Sequence, residues 1–180
     1  GKLITARTTD ELVENLKETE YYAPLKKIKD TDNVTLYDYN LALDLYYYTS
    51  TWKEQKKILK KSDLELFMRD RGSKIDLLNI QWIYRAKKYY NMKPADIYLM
   101  LIPIHYKLST ELVKDMVEAP GVEEFENVVI RTTYARHYNF KQNLTMEQMY
   151  ADCLHHLYTA DRRKNPYSVS AINTYLFLKE

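Results

Sequence analysis

The chain has 180 residues, of which 27 are basic and 25 acidic, giving a formal net charge of +2. A net charge this small does not imply nucleic acid as a partner. The single Cys153 cannot form an internal disulfide, so a reducing compartment is expected, and no apolar run reaches the length that crosses a membrane. With only 3 Gly and 5 Pro to interrupt it, the chain is predicted to be all-α, an irregular helical bundle.

The first predicted helices lie between residues 9 and 49. Residues 9–21 place Asp10 and Glu11 in the first turn, where the helix dipole favours negative charge, and then space apolar residues four apart. A second helix is predicted after Thr35, because Thr35 and Asp38 have the spacing of a capping box. Thr145 and Gln148 have the same spacing and predict an equivalent capping box in the second half of the chain.

The longest helical pattern covers residues 73–92. Ser73 and Asp76 have capping-box spacing, which predicts that the helix begins at Ser73. Apolar residues occupy two nearly opposite faces, so the helix is expected to be central and buried between other helices. Asn79 lies within one of these faces. A buried amide must be hydrogen-bonded, so Asn79 is predicted to tie the helix to a neighbour's backbone.

Basic residues are the candidates for contact with a partner. Arg85 lies at the border of an apolar face and either contacts a partner in a polar cavity or pairs with a carboxylate such as Asp63 or Glu65. Five lysines could meet anionic headgroups or an acidic protein partner in a complex: Lys53, Lys56, Lys57, Lys60 and Lys61. The alternative for the lysines is a solvated surface, since charge runs are usually exposed.

The second half of the chain repeats the first. Residues 108–119 predict an additional helix, residues 122–134 align with 9–21, and residues 145–159 align with 35–49. Residues 172–179 then align with 80–87, and Leu12 and Phe125 are expected to share one environment. The three pairs occur in the same order, which predicts repeats of about 110 residues. We predict one continuous body with a first repeat at 1–107, its first helix truncated, and a second at 108–180, truncated at its C-terminal end.

A search for catalytic chemistry finds little. Three glycines cannot form a dinucleotide fingerprint or a phosphate-binding loop. Residues 152–156 contain Cys153, His155 and His156, but neighbouring histidines on a helix point about a hundred degrees apart and cannot share one ion. Asp38 and Asp44 could form an acid–base pair, although Asp38 already has a capping role. A non-enzymatic protein without cofactor or metal is therefore predicted.

Residues 75–89 follow the pattern I-D-L-L-N-I-x-x-I-x-R-A-K-x-Y, which resembles the C subunit of V/A-type rotary ATPases, called the d subunit in eukaryotes. Residues 165–180 are similar to that family's next core helix. The resemblance implies three copies with pseudo-threefold symmetry, of which this chain is a central fragment.

The same resemblance implies a non-catalytic coupling subunit. It would form a helical cup on the cytoplasmic face of the proteolipid ring, receive the tip of the rotor shaft, and help couple ATP turnover to H⁺ or Na⁺ transport. The subunit would lie in the cytoplasm, peripheral to the membrane. The alternative is a helical scaffold or adaptor that binds other proteins, although a repeat period above about a hundred residues argues against a solenoid.

Overall fold

The structure is a computed structural model that describes residues 5–29, 33–137 and 144–164. Within these ranges it contains eight α-helices, one 3-10 helix (Ala135–His137) and no β-strand, which confirms the all-α prediction. The α-helices in chain order are α1 (Thr9–Asn15), α2 (Tyr22–Lys29), α3 (Leu36–Ile58), α4 (Lys61–Lys88), α5 (Pro94–Met100), α6 (Thr110–Glu118), α7 (Val122–Val129) and α8 (Met146–Lys164).

The chain divides into two compact units, which we call unit 1 (Gly1–Glu54) and unit 2 (Gln55–Glu180). This boundary falls inside α3, whereas the sequence repeat divides the chain between residues 107 and 108. Compactness reflects spatial contacts and a repeat reflects sequence similarity, so the two divisions describe different properties. The repeats at 1–107 and 108–180, and their union in one continuous body, stay predictions.

Unit 1 is held together by the pairing of its two short helices. The side chain of Thr8 caps α1 by accepting the N–H of Glu11 at 3.1 Å. α1 packs against α2, and the residues buried in these two helices are Val13 and Leu25. α3 contains no buried residue, although it is 23 residues long.

α4 is the central helix of unit 2, and it begins earlier than predicted. It starts at Lys61, so Ser73 lies in its interior and is 2% exposed. The predicted capping box is therefore wrong, because residues at mid-helix have no free N-terminal N–H groups to cap. The predicted burial on two faces is confirmed: Ile75 and Ala86 on one face, and Leu77 on the other, are each 1% exposed.

Gly72 lies inside α4 because another segment approaches it closely. A Cβ at this position would lie 2.5 Å from Cγ and 2.6 Å from Cβ of Tyr106. Glycine in a helix interior costs about 1 kcal/mol relative to alanine. Here the missing side chain lets residues 101–108 pack against α4. These atoms are near the Tyr106 backbone, whose N–H is bound by Asp76 at 3.1 Å, so the tyrosine cannot simply rotate away.

We expect Gly72→Ala to lower the free energy of unfolding by about 1–3 kcal/mol, because it overpacks this contact. In an exposed helix interior the same change would raise stability. Urea denaturation measures the difference. Gly121→Ala is the matched control, since its Cβ would meet only the carboxylate tip of Glu124 at 2.8 Å and should cost less than about 1 kcal/mol. Equal stability of Gly72→Ala and the wild type would contradict this account.

The core of unit 2 surrounds α4. α7 and α8 pack directly against it, and α6 packs against both α4 and α7. Residues 122–129 form helix α7, as their alignment with residues 9–21 predicts, and the predicted helix at 108–119 is confirmed as α6. The largest fully buried side chains contributed by the elements around α4 are Phe125, Ile97, Ile102, Leu108, Met116, Met146 and Leu154.

Local hydrogen bonds recur at aligned positions of the two repeats. The hydroxyl of Thr19 donates to the Leu16 carbonyl at 2.7 Å, and the hydroxyl of Thr132 donates to the Val129 carbonyl at the same distance. α1 and α7 begin at aligned residues, as do α3 and α8. The third matched pair includes residues 172–179, which lie outside the described residues.

The capping boxes predicted at the two aligned helix starts, Thr35–Asp38 and Thr145–Gln148, differ in detail. Thr145 and Gln148 form both bonds, at 2.8 and 3.2 Å, so this box is confirmed. At the other, the Thr35 N–H donates to Asp38 at 2.7 Å, but the Thr35 hydroxyl donates to the same carboxylate instead of accepting the Asp38 N–H. Both bonds favour the charged form, so they lower the pKa of Asp38.

Burial does not follow the repeat. Leu12 is 36% exposed, whereas the aligned Phe125 is fully buried. The prediction that they share one environment is wrong, so this pair does not support the repeat. α7 packs against α4 and α6, whereas α1 packs against α2.

Candidate functional site

Asp76 is a buried residue of α4 whose carboxylate accepts four hydrogen bonds. Its carboxylate accepts the backbone N–H groups of Tyr106 at 3.1 Å, Lys107 at 2.7 Å and Leu108 at 3.2 Å, and the hydroxyl of Tyr134 at 2.8 Å. The residue is fully buried. One side chain thus joins α4 to the segment before α6 and to the segment after α7.

The electrostatics of this contact follow from its burial. Removal from water raises the pKa of Asp76, while the four hydrogen bonds act in the opposite direction. Burial, together with the nearby Asp76 charge, also raises the pKa of Tyr134, so its hydroxyl keeps the proton that it donates. Asp76 and Tyr134 therefore form a fixed link between α4 and the segment after α7.

Asn79 makes a second contact one turn further along α4. Its Nδ2 donates to the Ile102 carbonyl at 3.0 Å, and its Oδ1 accepts the Ile102 N–H at 3.0 Å. Asn79 is fully buried. The prediction of a buried amide bonded to a neighbour's backbone is confirmed, and the neighbour is the non-helical connection between α5 and α6.

Lys87 makes a third contact near the end of α4. Its Nζ donates to the carbonyls of Val117 at 2.7 Å and Ala119 at 2.6 Å, at the C-terminus of α6. A cation is favourable there because the last carbonyls of a helix carry partial negative charge. Burial lowers the pKa of Lys87.

These three contacts fix the position of the neighbouring segments along α4. From Asp76 to Lys87 they extend over about 16 Å of helix, at 1.5 Å per residue. Each buried polar group would lose its partner if the surrounding segments slid along α4, which costs about 1–3 kcal/mol per group. The arrangement resists deformation.

Arg85 lies on the exposed side of the C-terminal end of α4. Of its two predicted roles, pairing with Asp63 or Glu65 is excluded. All three residues belong to α4, and Arg85 is at least 20 residues from either carboxylate, a separation of about 30 Å along the helix. The role in binding a partner stays a prediction.

The five candidate lysines are all exposed: Lys53, Lys56, Lys57, Lys60 and Lys61. They belong to the end of α3, the turn after it and the first residue of α4. The structure does not bring Arg85 into this segment, since it lies more than twenty residues along α4. Exposure is compatible with both a partner contact and a solvated surface.

The cysteine and histidines of α8 have separate environments. Cys153 is buried, and burial raises its pKa to about 12, so the thiol remains protonated and is a poor nucleophile. His155 and His156 are exposed, with ring centroids 6.2 Å apart. The described residues include no group of three or more His, Cys, Asp or Glu side chains placed to hold a metal ion.

Sequence reasoning missed Asp76, Tyr134 and Lys87 as contact residues. Asp76 and Asn79 are three residues apart on a helix whose neighbouring positions are apolar, and this spacing was the available signal for a shared buried face. None of the helices in the described part of the chain combines the length and apolar character needed to cross a bilayer.

Comparison with known proteins identifies the family. The family model described as ATP synthase (C/AC39) subunit matches residues 1–180. The C subunit of the A-type ATP synthase of Methanosarcina mazei is 32% identical over 134 residues, which cover 74% of this chain and 35% of the relative. The Methanosarcina barkeri protein of the same name is 29% identical over the same shares.

The chain therefore spans about a third of the length of the curated relatives it matches. No solved structure shows significant similarity to it. Because the family model matches from the first residue to the last, and the fold is all-α as the resemblance implies, the chain belongs to the ATP synthase (C/AC39) subunit family.

Proposed function

We propose that the chain is part of a non-catalytic coupling subunit of a V/A-type ATPase or ATP synthase. In this role it joins the rotor shaft to the proteolipid ring, on the cytoplasmic face of the membrane, and serves H⁺ or Na⁺ transport. Membership in the ATP synthase (C/AC39) subunit family supports the complex. The mechanical role is our inference from the way α4 is held.

The observation that carries the proposal is the locking of α4 by buried polar contacts. A part that transmits torque must not absorb it by internal sliding. Asp76 and Asn79 fix the register of α4 against residues 101–108, and Lys87 fixes it against the end of α6. Buried groups with satisfied hydrogen bonds favour one arrangement over shifted ones. These contacts support the proposal that unit 2 acts as a stiff coupling element.

Removal of the whole subunit from the assembled complex tests the proposal. We expect ATP hydrolysis by the soluble sector to continue, while ion pumping and its dependence on hydrolysis are lost. Reconstituted vesicles with a pH- or Na⁺-sensitive dye report pumping, and phosphate release reports hydrolysis. A complex that pumps normally without the subunit, or a purified chain that hydrolyses ATP, would overturn it.

Among the candidate contact residues, we propose Arg85 as a partner contact and the five lysines as a solvated surface. Arg85→Gln should then weaken association with the rest of the complex about tenfold, since a hydrogen bond between charged groups contributes about 1.5 kcal/mol or more. The loss should shrink at high salt.

The matched comparison replaces the five lysines with Gln: Lys53, Lys56, Lys57, Lys60 and Lys61. Association should stay unaltered although this variant removes five charges. Sedimentation with the purified remainder of the complex measures both variants. If the lysine variant weakens association in a salt-dependent way and Arg85→Gln does not, the assignments are reversed.

A further inference from the structure

In unit 2, three segments present buried residues to α4. The ring centroid of Phe125, in α7, lies 5.9 Å from that of Tyr84 in α4. The hydroxyl of Tyr134 donates to Asp76 at 2.8 Å. α8 packs directly on α4, and its Met149 is 2% exposed. Together these segments form a site that one long helix fills.

Unit 1 carries side chains of the same character at the aligned positions, but they are not buried. We call these residues the α1–α3 surface: Leu12, Leu16, Tyr21, Leu36, Tyr39 and Tyr48. In the repeat they align with the buried residues Phe125, Val129, Tyr134, Met146, Met149 and Tyr158. Leu12, Tyr21 and Leu36 are 36%, 42% and 69% exposed, whereas their counterparts are 0%, 6% and 1% exposed.

The segment after α1 contacts α3, just as the equivalent segment after α7 contacts α8 in unit 2. The ring centroid of Tyr21, just after α1, lies 5.9 Å from that of Tyr46 in α3, and the Tyr46 hydroxyl donates to Glu20 at 3.2 Å. In unit 2, the 3-10 helix after α7 likewise packs against α8. Since the local structures also match, unit 1 has the frame of the unit 2 site without its central helix.

We propose that the α1–α3 surface is the docking site for one α-helix of the α4 type, supplied from outside unit 1. By analogy with unit 2, this helix carries a carboxylate that accepts the Tyr21 hydroxyl, as Asp76 accepts that of Tyr134. About two turns later, roughly 12 Å along the axis, it presents a large apolar side chain to Leu12, as Tyr84 does to Phe125. α4 itself is enclosed by unit 2 and is not the occupant.

Two polar positions depart from the match: Asn15 aligns with the buried Val128, and Asp44 defines the partner further. Asp44 is exposed and aligns with Leu154, which is 2% exposed. A buried unpaired carboxylate is costly. The docked helix therefore carries a basic or polar residue opposite Asp44, or leaves this edge in water. The inference rests on the internal repeat and does not depend on the coupling function.

The test supplies such a helix. An additional copy of residues 73–92, joined to Gly1 of the full chain by a flexible Gly/Ser linker, gives an effective concentration of about millimolar. We expect the amides of α1 and α3 to exchange hydrogen at least about tenfold more slowly than in a fusion with a scrambled sequence. Leu36→Glu should abolish this protection, whereas Leu99→Glu, at a 73% exposed position of α5, should not.

A double-mutant cycle tests the specific hydrogen bond. Within the fusion, Tyr21→Phe and an Asp→Asn change in the added copy, at the position corresponding to Asp76, should each reduce protection, and together they should reduce it no further. An absence of protection overturns the proposal, as does protection that Leu36→Glu leaves intact. The proposal is also overturned if the effects of the two changes on protection are additive. Dimers of the unfused chain that Leu36→Glu abolishes would assign the surface to a second copy and also overturn it.

Discussion

Asp76→Leu is expected to lower the free energy of unfolding by at least about 3 kcal/mol. The change leaves three backbone N–H groups and the Tyr134 hydroxyl without their shared acceptor. A stranded buried donor costs about 1–3 kcal/mol. Leucine has a similar size, so no large cavity adds to the loss. The carboxylate's own burial cost disappears in the variant, which places the total below the sum of four full penalties.

Urea denaturation with two matched variants checks this result. Tyr134→Phe removes one of the four donors and should cost about 1 kcal/mol. Asp152→Leu changes an exposed aspartate of α8 and should stay within about 0.5 kcal/mol of the wild type. If Asp76→Leu were no worse than Asp152→Leu, the carboxylate could not be the link between α4 and residues 106–108.

Asn79→Leu should lower the free energy of unfolding by about 1–3 kcal/mol, because it strands the N–H and the carbonyl of Ile102. For a chain of this size the melting temperature should fall by about 2–10 °C. Calorimetry measures the shift. Asn127→Leu, at an exposed position of α7, is the control and should melt close to the wild type. A variant at position 79 that melts at the wild-type temperature would refute the role of the amide.

The role of Asn79 could be predicted from the sequence for a physical reason. An amide within an apolar helix face has no polar neighbour on its own helix, so its partner must come from elsewhere. The same logic failed for Asp76, because Ser73 offered a local explanation. The true partners lie about 30 residues away in a non-helical segment, which periodicity cannot locate.

The start of α4 was missed for a related reason. Residues 61–72 include good helix formers such as Leu, Glu, Met and Arg, but Gly72 and the capping-box spacing of Ser73 and Asp76 favoured a start at Ser73. Contact with Tyr106 explains why glycine occupies this position, and that contact is visible only in three dimensions. Arg85 shows a further limit: sequence spacing allowed an ion pair with Asp63 that a continuous helix rules out.

The contacts between α4 and residues 101–108 have a consequence for natural variation. Asp76 and Asn79 bind backbone atoms of this segment, so the identity of its outward side chains contributes little to the attachment. Pro103, His105 and Lys107 are exposed and should be freely exchangeable among homologues. A single-residue insertion or deletion between Ile102 and Tyr106 would instead shift one attachment point relative to the other. We therefore expect this segment to diverge in composition while its length stays constant.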